Sequence, residues 1–294
     1  MKATIQLCTY NRSALLERVL DACLEQSVAD DAYEIVVVND GSTDNTRAVI
    51  ERARRSATCA FVAIDRPNGG LAKARNAGIA AANGERIIFI DDDVLALPNF
   101  VEEHLRAAAL HPGRIVRGGA INVESFDDLP PPEWSLRDYS ANFFWTTNVS
   151  VPLETLRGVG GFNETFAEYG WEDIDVGLRL RAAGVRATFN PRALVYHHKP
   201  PPRGANIETM QRQARAQART ALALTRLHPQ WRARLATGDY AAARLLHRAL
   251  RSTNVGRRAR AVLAGVRPDS VLTRRQRRAA RRLAIEAYFE ELGG

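Results

Sequence analysis

Three consecutive carboxylates, Asp91, Asp92 and Asp93, close an apolar run of strand length, Arg86-Ile87-Ile88-Phe89-Ile90. Side by side they repel one another, so an edge where they stay ionised calls for a cation. Hard oxygen ligands suit Mg or Mn, and such an ion suits a phosphate-bearing ligand. In isolation, a solvated acidic turn before Pro98 would read the same way. A second acidic pair, Glu172 and Asp173, follows Trp171 and opens a helical stretch that Gly184 ends. Acids stabilise a helix N-terminus, and a carboxylate at a loop-to-helix junction can equally serve as a general base. An exposed Trp171 beside it offers a face for a sugar ring. His197 and His198 end the strand-like run Ala193-Leu194-Val195-Tyr196. A lone His there is usually structural, whereas a pair at a polar strand end can give an imidazole nitrogen to a metal.

The elements that must position these groups alternate. Ala3 to Cys8 reads as a strand, with a helix from Ser13 whose Leu15, Leu16, Val19, Leu20, Cys23 and Leu24 share a face. Glu34 to Val38 is continuous in β-branched residues, as a buried parallel strand requires. Cys59 to Ile64 is a third strand, Leu71 to Ala82 a helix, and Arg86 to Ile90 the fourth strand. Past Pro98 follow a helix from Asn99 to Leu110, a glycine-punctuated stretch near Gly118-Gly119 and a strand-like Phe143 to Val151. This rhythm implies an α/β fold with a mostly parallel Rossmann-like sheet flanked by helices. Ligands of such sheets bind beyond the strands' carboxyl ends, where Thr9 to Arg12, Asp40 and Asp91 to Asp93 all fall. Neither GxxxxGK[ST] nor GxGxxG is present, so any nucleotide is held without a P-loop or a dinucleotide fingerprint.

Six segments in order resemble the family 2 glycosyltransferases with the GT-A fold: Thr9-Tyr10-Asn11-Arg12, Val38 to Asp44, Asn68 to Gly78, Asp91-Asp92-Asp93, Gly160 to Glu164 and Trp171-Glu172-Asp173. The resemblance covers about residues 3–200 and implies inverting transfer of a sugar from a nucleotide diphosphate sugar, assisted by Mn or Mg. It implies that Thr9, Tyr10, Arg12 and Asp40 line the nucleobase pocket, with Asp40 accepting from a uracil-type imide, which favours a UDP-sugar. By the same resemblance Asn68, Leu71, Lys73 and Asn76 border the ribose and diphosphate. Asp91 faces the ribose, Asp92 fills the variable position of the DXD motif, and Asp93 binds the metal. Asp173 is the implied catalytic base, Glu172 and Trp171 lie on the acceptor side, and His197 is the late metal ligand, with adjacent His198 leaving the register open. Processive synthases of the family add QxxRW and membrane helices, which this sequence lacks, so the expected enzyme is non-processive, with a glycan, a lipid-linked molecule or another hydroxyl as acceptor. The implied organisation is a GT-A domain over residues 1–206, nucleotide-sugar binding in 1–97 and acceptor and catalytic functions in 98–206, followed by a helical region over 207–294.

Composition sets the frame. No apolar run of the 294 residues approaches the roughly 20 needed to span a bilayer, and Met1-Lys2-Ala3 leads directly into a strand, so the expectation is a cytoplasmic protein. Cys8, Cys23 and Cys59 lack CxxC spacing and read as buried reduced thiols. The net charge of +8 divides unevenly: from Ile207 onward there are 19 Arg and no Lys against six acids, which leaves the rest acidic. That asymmetry disfavours nucleic acid as partner of the site-bearing part. The Ala- and Arg-rich tail reads as helical, with Ala279, Ala280, Leu283, Ala287 and Tyr288 at helical spacing beside a cationic face. Its readings are a solvated helix over the catalytic domain, peripheral contact with anionic membrane or a lipid phosphate, and nucleic acid. The rival functions are a sugar nucleotidyltransferase, whose Gly-rich triphosphate loop Thr9 to Arg12 does not resemble, and a non-catalytic protein acting through the basic tail. The oligomeric state is not legible.

Overall fold

The computed structural model describes residues 1–166, 168, 170–251 and 253–293. Tyr169, at the start of the stretch that leads into Glu172 and Asp173, lies outside them. The chain folds as two compact units, one of Met1–Ala167 with Glu172–Lys199, the other of Glu168–Trp171 with Pro200–Gly294.

The first unit runs β1 (Ala3–Thr9), α1 (Ser13–Leu24), β2 (Tyr33–Asn39), α2 (Thr46–Ser56), β3 (Ala60–Asp65), α3 (Leu71–Ala81), β4 (Arg86–Phe89), β5 (Val94–Ala96), α4 (Phe100–Leu110), β6 (Ile115–Val123), β7 (Val149–Pro152), α5 (Leu153–Gly158), α6 (Glu172–Ala182) and β8 (Ala187–His198). Its eight strands form one mixed α/β sheet in the order β3-β2-β1-β4-β7-β6-β8-β5. The half built from β3, β2, β1 and β4 is wholly parallel, and β2 is buried along its whole length, the reason for its unbroken apolar sequence. β7 runs antiparallel to both β4 and β6, and β5 antiparallel to β8. One apolar layer holds Leu16, Val19 and Leu20 of α1 and Phe100 of α4 against Ile5, Ile35 and Val37. The other holds Ile79 of α3 and Val176 and Leu180 of α6 with Ile87, Phe89, Phe144 and Phe162.

Two elements differ from their sequence reading. The glycine-punctuated stretch is β6, a nine-residue strand with a register shift between Arg117 and Gly119. A Cβ on Gly118 would stand 2.0 Å from the Ala193 carbonyl oxygen, so the glycine permits a close strand approach instead of breaking the strand. Conversely, only the end of Phe143 to Val151 is strand. Phe144 is apolar because it packs on Phe89 and Phe162, and Asn148 N–H closes a turn onto the Trp145 carbonyl.

The second unit is helical: α7 (Asn206–Leu227), α8 (Trp231–Thr237), α9 (Ala241–Arg251), α10 (Val255–Leu263) and α11 (Arg274–Gly293). Small side chains let its helices approach. Ala218 and Ala221 of α7 meet Leu292 of α11, and Ala259 of α10 meets Ala279 and Leu283. The apolar stripe of α11 is thus consumed inside this unit. Among the described residues no helix is long and apolar enough to cross a membrane.

Candidate functional site

Strand register brings the polar loops to one edge. Thr9 pairs with Asn39 at the ends of β1 and β2, the Asp40 N–H bonds the Thr9 carbonyl, and the Ile90 N–H bonds the Gln6 carbonyl. Asn11, at φ 53°, accepts from the Thr43 N–H at 2.7 Å while its own N–H donates to Ser42 Oγ, so the loops after β1 and β2 form one surface. Tyr10 is exposed on it and Thr9 is buried beneath. Asp40 is already engaged: its carboxylate accepts from Arg66 Nη1 at 3.0 Å and from the backbone N–H groups of Gly69 and Gly70. Gly41, at φ +81°, lets the chain pass the Asn68 backbone, which a Cβ would approach to 2.6 Å. Asp40 therefore holds the loop carrying exposed Asn68 and leading to exposed Leu71 and Lys73 in the first turn of α3. That turn has unpaired N–H groups and a lysine, the chemistry that receives an anion. Asn76 faces elsewhere. Its side chain donates to the Phe162 carbonyl and accepts from the Phe162 N–H, pinning α3 to the turn of Gly161 to Glu164.

The acidic triplet splits by side-chain direction. Asp91 accepts from Thr147 Oγ1 at 2.7 Å. Burial pushes the Asp92 carboxyl up to about 6, with Arg12 working against that. Asp93 Oδ1 lies 3.4 Å from His197 Nε2, and Oδ2 lies 3.5 Å from Arg12 Nη1. Burial would raise Asp93, but the His197 hydrogen bond and the charges of His197, Lys199 and Arg12 outweigh it and hold the carboxyl low. Pairing of Val94 with His197 across β5 and β8 sets this contact, and alternation along β8 turns His198 to the opposite face, against the Phe126 ring. A carboxylate oxygen and an imidazole nitrogen so converged fit a divalent cation of the Mn type. Among the described residues no group of three or more His, Cys, Asp or Glu is arranged for a metal.

The third part is the start of α6. Trp171 has φ 72°, and with Asn11 it is one of only two non-glycine residues of positive φ among the described residues, both in candidate segments. The indole is not the exposed face that the sequence suggested: Trp171 Nε1 donates to the Gln217 carbonyl at 2.7 Å, and the ring packs with Ala218, Ala221 and Leu292 in the helical unit. Asp173 Oδ1 accepts the Ile174 N–H at 2.8 Å. Burial, then the charge of Glu172, raise its carboxyl well above the ordinary aspartate range, partly offset by Arg75.

Arg75 joins the two acidic sets, and sequence reasoning placed it only within a motif. Its guanidinium donates to Glu172 Oε1 at 2.9 Å and to Thr146 Oγ1 at 2.6 Å, lies 3.5 Å from Asp91 Oδ1, and sits over the Phe162 ring at 5.0 Å. It is 4% exposed. A signal existed: Arg75 falls on the same helical stripe as Ala72, Gly78 and Ile79, where a charge must have buried partners.

The profile of Glycosyl transferase family 2 matches residues 4–159, and that of Glycosyl transferase family group 2 matches residues 135–263. A validoxylamine A glucosyltransferase of Streptomyces hygroscopicus subsp. limoneus is 32% identical over 223 residues, covering 64% of this chain and 49% of its own. The chondroitin synthase of Pasteurella multocida (strain Pm70) is 24% identical over 67% of this chain and 25% of its own length. The chain thus spans about half the length of the first of these relatives and less of the second. Among solved structures, the mannosyltransferase PcManGT from Pyrobaculum calidifontis, in complex with GDP-Man and Mn2+, aligns with TM-score 0.65 at 20% identity over 99% of this chain and 87% of its own. S. aureus TarS 1-349 in complex with UDP aligns with TM-score 0.56 at 19% identity over 99% and 90%. At such identities the structural likeness is one of fold, GT-A. With its profile spanning more than half of the sequence, the chain belongs to glycosyl transferase family 2.

Proposed function

We propose that the chain transfers one sugar at a time, with inversion, from a nucleoside diphosphate sugar, UDP-sugars favoured, to a glycan, lipid-linked or other hydroxyl acceptor. The observation that carries this reading is the shared bridge of Arg75, which ties Asp91 of the acidic triplet to Glu172 beside Asp173. One side of that bridge suits a nucleotide and its diphosphate, the other an acceptor. In this reading Tyr10 and the Asp40-supported loop hold the nucleoside, while the first turn of α3 with Lys73 receives the diphosphate. Asp93 and His197 would hold a Mn or Mg ion, which when bound supplies countercharge to the leaving diphosphate. Asp173 takes the acceptor's hydroxyl proton as that oxygen bonds to the anomeric carbon from the face opposite the breaking bond, whose electron pair leaves with the diphosphate. Its raised pKa brings the base nearer the pH at which a carboxylate can both be ionised and hold a proton. The fold neighbours were solved with GDP-Man and with UDP, and these ligands support a nucleotide sugar. The Arg-rich helical unit is suited to an anionic surface, where lipid-linked acceptors reside.

The deciding experiment is thermal stabilisation by UDP-, GDP- and dTDP-sugars with and without Mn, followed by the anomeric configuration of the product by NMR. A metal-dependent rise with one donor and an inverted product are expected. Absence of stabilisation by every donor, or a retained configuration, would overturn the reading.

A further inference from the structure

The helical unit consumes one amphipathic face and leaves another open. The stripe of α11 is buried against α7 and α10, which leaves Ile285 as the one exposed large hydrophobic of that helix among the described residues. Between residues 227 and 246, by contrast, Leu227, Trp231, Leu235, Tyr240, Leu245 and Leu246 are all exposed, Trp231, Leu245 and Leu246 at 65%, 62% and 63%. These twenty residues hold six of the sixteen exposed large hydrophobics among the described residues. Scattered single apolar groups need no explanation, but this density does.

The charges interleaved with them say what covers them. Arg232 and Arg234 are exposed within that stretch and Arg226 and Arg248 just beside it, and no described acid pairs with any of them. Asp239, the one acid between residues 226 and 251, is taken by Arg244. Arg232 lies over the Trp231 ring at 5.0 Å. Trp, Tyr and Leu beside snorkelling arginines, with acids missing, is the chemistry of a helix that lies in a headgroup layer. We propose that α8 and α9 form a docking surface for an anionic lipid bilayer, the leucines and Trp231 entering the acyl boundary while the arginines meet lipid phosphates. This rests on the anionic-surface reading of the helical unit and not on the transfer reaction, and it moves the contact from α11 to α8 and α9.

The test is co-sedimentation of the full chain, without donor or metal, with vesicles of phosphatidylcholine alone or mixed with phosphatidylglycerol. Binding to the anionic vesicles only, weakening as salt rises, is expected. L245S/L246S should lower that binding by about tenfold or more, since two exposed leucines lose their burial in lipid. W231S should act in the same direction, with circular dichroism unchanged for both because the sites are on the surface. The combination R226Q/R232Q/R234Q/R248Q should abolish the salt-sensitive part. Failure of the wild-type chain to bind anionic vesicles, equal binding to neutral ones, or undiminished binding by L245S/L246S overturns the proposal. Loss of self-association in that double variant, with vesicle binding intact, would instead assign the patch to contact between copies. Vesicle binding without transfer activity would sink only the enzymatic reading, and transfer without vesicle binding only this one.

Discussion

The charges of the sheet unit and those of α8 and α9 obey opposite rules. At the edge of the sheet, Arg75, Arg66 and Arg12 each face a carboxylate, and Asp91, Asp93, Asp40 and Glu172 each have a cation within 3.5 Å. In α8 and α9, Arg232, Arg234 and Arg248 stand in solvent with no carboxylate of the described residues beside them, while Arg244 pairs with Asp239. Burial explains the difference for Arg75 and Arg66, whereas Arg12 is exposed and it is its partner Asp93 that is largely buried. A charge removed from water must find a partner, whereas an exposed one loses little by standing alone and stays available to an external anion. Mutual pairing is thus the mark of a preorganised site, and its absence the mark of a surface awaiting a partner.

Four sets of substitutions break or sharpen that contrast, from the largest effect down. Asp173→Asn keeps shape and capping ability but removes the proton acceptor, so transfer should fall by roughly 10²–10⁴-fold with donor affinity intact. In the wild type, activity should be lost as pH falls through the raised Asp173 value, above the ordinary aspartate range. Stability carries the opposite sign. The folded chain keeps the Asp173 proton where the unfolded chain has lost it, so stability falls as pH rises through that window. Asp173→Asn should therefore be more stable than the wild type at neutral pH by urea denaturation. Near-normal turnover by this variant would remove Asp173 as base.

Asp93→Ala should weaken Mn-dependent donor binding by more than the roughly 10–100-fold that a supporting group costs a metal site. His197→Ala should follow it and His198→Ala should have little effect, read by calorimetric titration of the diphosphate. The reverse order of the two histidines would refute the alternation argument. Arg75→Met leaves Glu172 with a buried, unpaired charge and should cost about 3 kcal/mol in folding free energy, at the lower end for a broken buried pair because Asp91 is partly solvated. A loss below about 0.5 kcal/mol would show that the bridge is not a structural tie. The same charge removal in the other region, Arg232→Gln with Arg234→Gln, should change stability by no more than about 0.5 kcal/mol, within the ordinary range of surface substitutions.

Much of the sheet was legible. Continuous β-branched runs and helical stripes mark β1, β2 and β4 with α1 and α3, because a strand covered on both faces and a helix covered on one each impose a local pattern. β6 was not legible, since Gly118-Gly119 serves a partner strand that no local pattern reveals. The apolar residues around Phe144 read as strand because core packing leaves the same signature without pairing.

In the candidate site, the sequence by itself determined which groups could do chemistry: Asp91 to Asp93 at a strand end, Glu172 and Asp173 at a helix start, and two histidines at another strand end. Only the tertiary structure decided which of them meet. Cross-strand register put His197 and not His198 beside Asp93, and burial of one helix face turned Arg75 into the bridge between two acidic sets 79 positions apart at their nearest. Helix packing closed the stripe of α11 and left that of α8 and α9 open. Residue type and local period are properties of a short stretch of chain, whereas partnership depends on distance in space, and distance is set only when remote segments are packed together.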